Sequence, residues 1–129
     1  MNADAFDAPS KSSGARITDF EGCLLLVKPT SRQQGIPTAF GPADAIVADI
    51  VVLDGKYANA EPYTDVYVFQ KVLQGQLKAK VGTGRYVLGR LGKGIARPGQ
   101  SAPWVLQDPT EQDKEAARAY LQTVENPPF

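Results

Sequence analysis

Read from its apolar positions, the chain predicts five strands and two helices. Residues 20–28 hold the run Cys23-Leu24-Leu25-Leu26-Val27 and stop at Pro29, as a strand buried at its middle would. Residues 45–53 are rich in Ile and Val and end at the turn signal Asp54-Gly55, and residues 64–70 (TDVYVFQ) are strongly β-prone. Residues 85–91 (RYVLGRL) predict a fourth strand bounded by glycines, and residues 104–107 a fifth. Between the third and fourth, residues 71–80 set Leu73 and Leu77 four apart among Lys, Gln and Ala, which predicts a short helix despite Gly75. After Asp108-Pro109 a longer helix begins, with Thr110 as N-cap and Asp113 in the capping-box position. Ala117, Leu121 and Val124 share one face of it, with Ala116 and Tyr120 beside them. Residues 29–44, with Gly35, Pro37, Gly41 and Pro42, read as a long loop, and residues 92–103 as a second, flexible and basic one.

The order strand, long loop, strand, strand, short helix, strand, basic loop, strand predicts a mainly β fold. It matches an OB-fold, a five-stranded barrel with a helix between strands 3 and 4, here followed by a C-terminal helix. An SH3-like small barrel is the structural competitor. An OB-fold binds oligonucleotides on strands 2 and 3 and on the loops joining strands 1-2 and 4-5. Those loops carry Arg32 in one case and Lys93 and Arg97 in the other. At 129 residues there is chain for one domain of this kind, expected over residues 17–124, between a disordered tail (1–16) and a C-terminal tip (125–129). The tail is expected to be disordered because its Ala, Ser, Asp, Pro and Gly cannot offset the entropy of ordering.

Composition narrows the chemistry. With no histidine, the chain lacks a Ser-His-Asp or Cys-His arrangement and the commonest metal-binding ring. The single Cys23 has no partner for an intramolecular disulfide and sits among apolar residues, so a reduced, cytoplasmic setting is expected. No apolar stretch approaches the roughly 20 residues of a membrane span, and the first 14 residues have no signal-peptide core.

Charge then changes the picture. The net charge is zero, from 14 basic and 14 acidic residues, but the distribution is uneven. Residues 67–104 contain Lys71, Lys78, Lys80, Arg85, Arg90, Lys93 and Arg97 and no Asp or Glu, while both flanks are acidic. A solvated face balanced in space by those flanks would account for this. The same segment also holds Tyr67, Phe69, Tyr86 and Trp104. Cations for phosphates with ring faces for unstacked bases are what single-stranded nucleic acid needs, and stacking tolerates any base. The candidate phosphate contacts are Arg32, Arg85, Arg90, Lys93 and Arg97, and the candidate stacking residues are Tyr67, Phe69 and Tyr86. Tyr67 and Phe69 share a strand face. Trp104 can pack against the C-terminal helix or stack a base, with packing favoured because large aromatics usually go to cores. Lys71 and Lys78 fall on the predicted helix, away from the groove.

A resemblance adds to this reading. The runs Tyr67-Val68-Phe69-Gln70, Val81-Gly82, Val87-Leu88-Gly89-Arg90-Leu91 and Ala102-Pro103-Trp104-Val105-Leu106, with Leu77 and the helix opening Pro109-Thr110, resemble single-stranded DNA-binding proteins of phages that infect actinobacteria. The likeness spans residues 18 to 122. It implies an OB-type fold that coats single-stranded DNA in phage replication or recombination, in the host cytoplasm. The ending Glu125-Asn126-Pro127-Pro128-Phe129 is similar to the acidic tip of bacterial single-stranded DNA-binding proteins, which implies docking of replication or recombination enzymes through Phe129. Only Glu125 is acidic here, and the predicted helix adjoins the tip almost directly, so an ordinary frayed terminus is the competing reading.

Other motifs carry less. Gly82-Thr83-Gly84 and Gly92-Lys93-Gly94 do not fit the phosphate-loop spacing, and Asp44, Asp49, Asp54, Glu61 and Asp65 lack the density of a calcium loop. No catalytic residue, metal or cofactor is expected. The alternative function is a phage protein-interaction or structural adaptor, whose basic segment meets an acidic partner. The exposed strand edges of a small barrel are compatible with a homo-oligomer.

Overall fold

The structure, a computed structural model, describes residues 15–59 and 61–125. The predicted tail through residue 14, and Phe129 with the rest of the tip beyond Glu125, lie outside the described residues. Strands β1 (Leu24–Ile36), β2 (Ala43–Val52), β3 (Tyr63–Val68), β4 (Val87–Lys93) and β5 (Trp104–Gln107) form one antiparallel sheet in the order β3-β2-β1-β4-β5. Helix α1 (Lys71–Leu77) connects β3 to β4, and α2 (Glu111–Glu125) follows β5. Short 3₁₀ turns occupy Ile17–Phe20 and Lys78–Lys80. Among the described residues no helix is long and apolar enough to cross a membrane.

The unbroken apolar run of β1 has a structural cause, because that central strand is buried on both faces. Leu25 and Val27 point into the principal core with Ile46, Ile50, Val66, Val68 and Leu91, closed at its ends by Phe20 and by Leu73 and Leu77 of α1. Leu26 points the other way, into a second cluster with Val51, Leu88 and the face of α2 formed by Ala117, Tyr120 and Leu121. The capping box of α2 forms as the sequence predicts: the Thr110 N–H donates to Asp113 Oδ2 (2.9 Å) and the Asp113 N–H to Thr110 Oγ1 (3.1 Å).

Several boundaries differ from the sequence reading. Residues 20–23 are not strand: Phe20 ends the 3₁₀ turn, whose Ile17 is also buried. Ala15 packs against the core, so residues 15 and 16 belong to the fold rather than to the tail. The long loop shrinks, because β1 continues through Pro29 to Ile36 and pairs with β2 as far as Ala43. Proline is tolerated there because pairing with β4 ends at Val27 and a register shift lies between Pro29 and Ser31. Lys93 ends β4 instead of lying in the basic loop.

The expected barrel is not closed; the sheet is open, with β3 and β5 as its outer strands. The reason is visible at β5. Its outward backbone groups at Leu106 are taken by the Gln76 side chain of α1, whose Nε2 donates to the Leu106 carbonyl (2.9 Å) while its Oε1 accepts from the Leu106 N–H (2.9 Å). A side-chain amide therefore stands where a neighbouring strand would pair. Gln76→Ala leaves both backbone groups of the buried Leu106 unpaired and is expected to destabilise the fold by about 1–3 kcal/mol. Urea unfolding should show it as a lower midpoint at unchanged slope.

Candidate nucleic-acid interface

Side chains alternate along β3, but Tyr63 and Val66 both face the core, which strict alternation forbids. A register shift between Ala48 and Ile50 resolves the conflict. Asp65 adopts φ 54°, a conformation that aspartate accepts more readily than most residues, and its N–H donates to Asp49 Oδ1 (3.3 Å). Beyond this bulge Val66 and Val68 point inward, while Tyr67 and Phe69 point outward. The two rings are 42% and 38% exposed and stack on each other with centroids 6.3 Å apart and planes inclined by 29°. They form an aromatic shelf at the end of an outer strand, Tyr67 within β3 and Phe69 just past it. Beside it lies a cleft of about 580 Å³ lined by Tyr67, Phe69, Gln70, Asp65 and residues 15–18 of the N-terminal turn. Arg16 brings a cation to that cleft, and Asp65 an anion.

The predicted cations do not gather on one wall. Arg32 pairs across the sheet with Ile46, which pairs in turn with Val68, so it shares the inward face of those residues, opposite to Tyr67 and Phe69. The bulge after Pro29 decides this parity. Lys93 lies at the other end of the sheet, where β4 runs past the start of β1, and its ammonium sits 5.0 Å from the Trp104 ring centroid. Trp104 itself is partly buried, packing against the principal core from its margin. Arg97 is exposed in the connection between β4 and β5, and Lys71 and Lys78 are exposed at α1.

Arg90 requires a correction. Its guanidinium donates to the Gly22 carbonyl (2.9 Å), pairs with Asp54 (3.0 Å) and pairs with Asp113 (2.9 Å). The charge expected to meet a phosphate instead ties the β2 end and the α2 N-terminus to β4. Burial works against the Arg90 charge, but the hydrogen bonds to Asp54 and Asp113 outweigh it and hold the guanidinium above its ordinary pKa. Asp113 lies below the usual carboxylate range, chiefly because it accepts the Thr110 backbone N–H and also because it faces Arg90. Cys23 is buried, and burial followed by the nearby Asp54 carboxylate pushes its thiol up. A Cβ on the adjoining Gly55 (φ +83°) would fall 2.8 Å from the Cys23 sulfur, so this turn requires glycine.

Tyr86 is also placed differently. Its body joins the cluster under α2, and Lys28 sits 5.2 Å from its ring centroid, so it is half-buried instead of an open stacking surface. Burial pushes the neighbouring Tyr120 hydroxyl up, with Tyr86 adding to the shift. Arg85, next to Tyr86, is exposed beside α2. Three groups escaped the sequence reading: Arg16, Lys28 and Phe40. Phe40 is fully exposed at the tip of the β1–β2 hairpin, where Thr38 and Gly41 exchange backbone hydrogen bonds. An aromatic in a Gly/Pro-rich turn was the available signal for it.

No family model matches the chain, and neither a curated protein nor a solved structure matches it.

Proposed function

We propose that the chain binds single-stranded DNA with little sequence preference, using Tyr67 and Phe69 as a stacking shelf. The observation that carries this reading is the pair itself: two large rings turned to solvent, side by side, on a strand whose alternate residues fill the core. Stacking on such rings contributes about 1–3 kcal/mol per base and accepts every base. Arg16 in the adjoining cleft is positioned for a phosphate. Arg32, Arg85, Lys93 and Arg97 make no ion pair with a carboxylate among the described residues, and they supply the positive field that concentrates a polyanion.

The strand order, with α1 between β3 and β4, is the order expected of an OB-type barrel opened between β3 and β5. The aromatic shelf on β3 is where such folds hold oligonucleotides. Following the resemblance of residues 18 to 122, we place this binding in phage DNA replication or recombination. The test is a titration of fluorescently labelled oligothymidylate by anisotropy at two salt concentrations. Affinity should fall with salt, the logarithmic slope being about −0.7 per phosphate neutralised. Absence of binding at both concentrations rejects the proposal.

A further inference from the structure

A second cleft, of about 400 Å³, opens between α2 and the start of β4. Its floor is aliphatic, from Leu26, Leu88, Ala117 and Leu121. Its rim carries Arg85, Lys114 and Arg118, and no carboxylate lines it. We propose that this cleft docks an acidic peptide segment bearing one large apolar side chain, supplied by a partner protein.

Charge complementarity and the chemistry of the floor carry the argument. Among the described residues neither Arg85 nor Arg118 makes an ion pair, and Lys114 has only the exposed pair with Glu111, one turn away at 3.3 Å. An exposed pair of that kind is worth little and exchanges readily for another carboxylate. Arginine forks present parallel N–H donors that match carboxylates, so two of the three rim cations are suited to aspartate or glutamate. The interior has room for one large side chain and its neighbour, and its walls are the methyl groups of leucines and an alanine.

A nucleic-acid strand fits the same cleft less well. Bases need ring faces, and Tyr86, the one aromatic here, is packed into the α2 cluster with Lys28 over its ring. The cleft is also separate from the aromatic shelf, since β1 and β2 lie between β4 and β3, which sets the two sites roughly 15 Å apart across the sheet. The protein would thus hold a strand toward the β3 edge of the sheet and a protein segment beside β4, on the same face.

The probe is a fluorescein-labelled synthetic peptide of consecutive aspartates followed by a leucine and a phenylalanine, titrated with the full chain by anisotropy. Saturable binding is expected, weakened about tenfold or more when Arg118→Glu is combined with Lys114→Gln. Both substitutions are on solvent-reaching positions of α2, and circular dichroism checks that the helix remains. A control peptide with alanines in place of the leucine and phenylalanine should lose binding comparably. Oligothymidylate affinity should stay unchanged in the double variant, which separates failure of this site from failure of the shelf. The proposal is overturned by absence of saturable binding or by equal binding to the double variant. It is overturned equally if oligothymidylate displaces the peptide and loses affinity in the double variant, for the cleft would then be a nucleic-acid contact.

Discussion

Replacing Tyr67 and Phe69 together by alanine is expected to lower affinity for labelled oligothymidylate by about a hundredfold. Two stacking contacts of about 1–3 kcal/mol each justify that magnitude, taken toward its lower end because the rings also stack on each other in the free protein and give up that contact to bind. Stability should fall, since each residue is more than half covered, but the fold should persist because the inward residues Val66 and Val68 are untouched. The salt slope should also be nearly unaffected, because no cation is removed. Tyr67→Phe should keep most of the affinity, as a ring face is retained. Anisotropy titrations of the three variants, with thermal melts alongside, check all of this. A double variant that binds as tightly as the unaltered protein would remove the shelf from the interface.

The second large effect concerns Arg90, with the opposite signature. Arg90→Ala is expected to destabilise the fold by about 1–3 kcal/mol, the range for hydrogen bonds to charged groups, reduced because about a third of the side chain, 34%, reaches water. It strips the cation from Asp113, which is only 8% exposed, and from Asp54. Oligothymidylate affinity, measured where the variant remains folded, should be unchanged, since this charge is already committed to carboxylates. The same cluster predicts a pH dependence. Asp113 has a lowered pKa in the folded chain, so below its ordinary value of about 3.9 the unfolded chain binds more protons. The stabilisation is therefore fully present above roughly pH 4 and is lost as pH falls through the lower folded value. Asp113→Asn should flatten that part of an acid-unfolding curve, whereas loss of Arg90 should shift it to higher pH.

These two residues illustrate what a sequence can and cannot disclose. The outward direction of Tyr67 and Phe69 was readable from alternation, because Val66 and Val68 on the same strand require the core. Arg90 looked like a free cation because residues 67–104 contain no carboxylate, yet its partners come from 36 and 23 positions away along the chain. A local charge count cannot register a pair of that range. The side of the sheet that Arg32 occupies was not legible for a related reason. Its face is decided by a register shift after Pro29, and one inserted residue sends a side chain to the opposite side of a sheet.

By itself, the sequence determined the identity and order of the elements, the capping box at Thr110 and Asp113, the burial of Cys23, and the presence of basic and aromatic residues in one segment. Those properties follow from periodicity and side-chain chemistry, which act over a few residues. Tertiary structure alone decided that the sheet stays open, since Gln76 must reach β5 from α1 to occupy its edge. It alone decided that Arg16 adjoins the aromatic shelf and that α2 frames a basic cleft with β4. Each of these depends on bringing distant segments within a few ångströms, and bulges, sheet register and helix docking control that approach without leaving a local pattern.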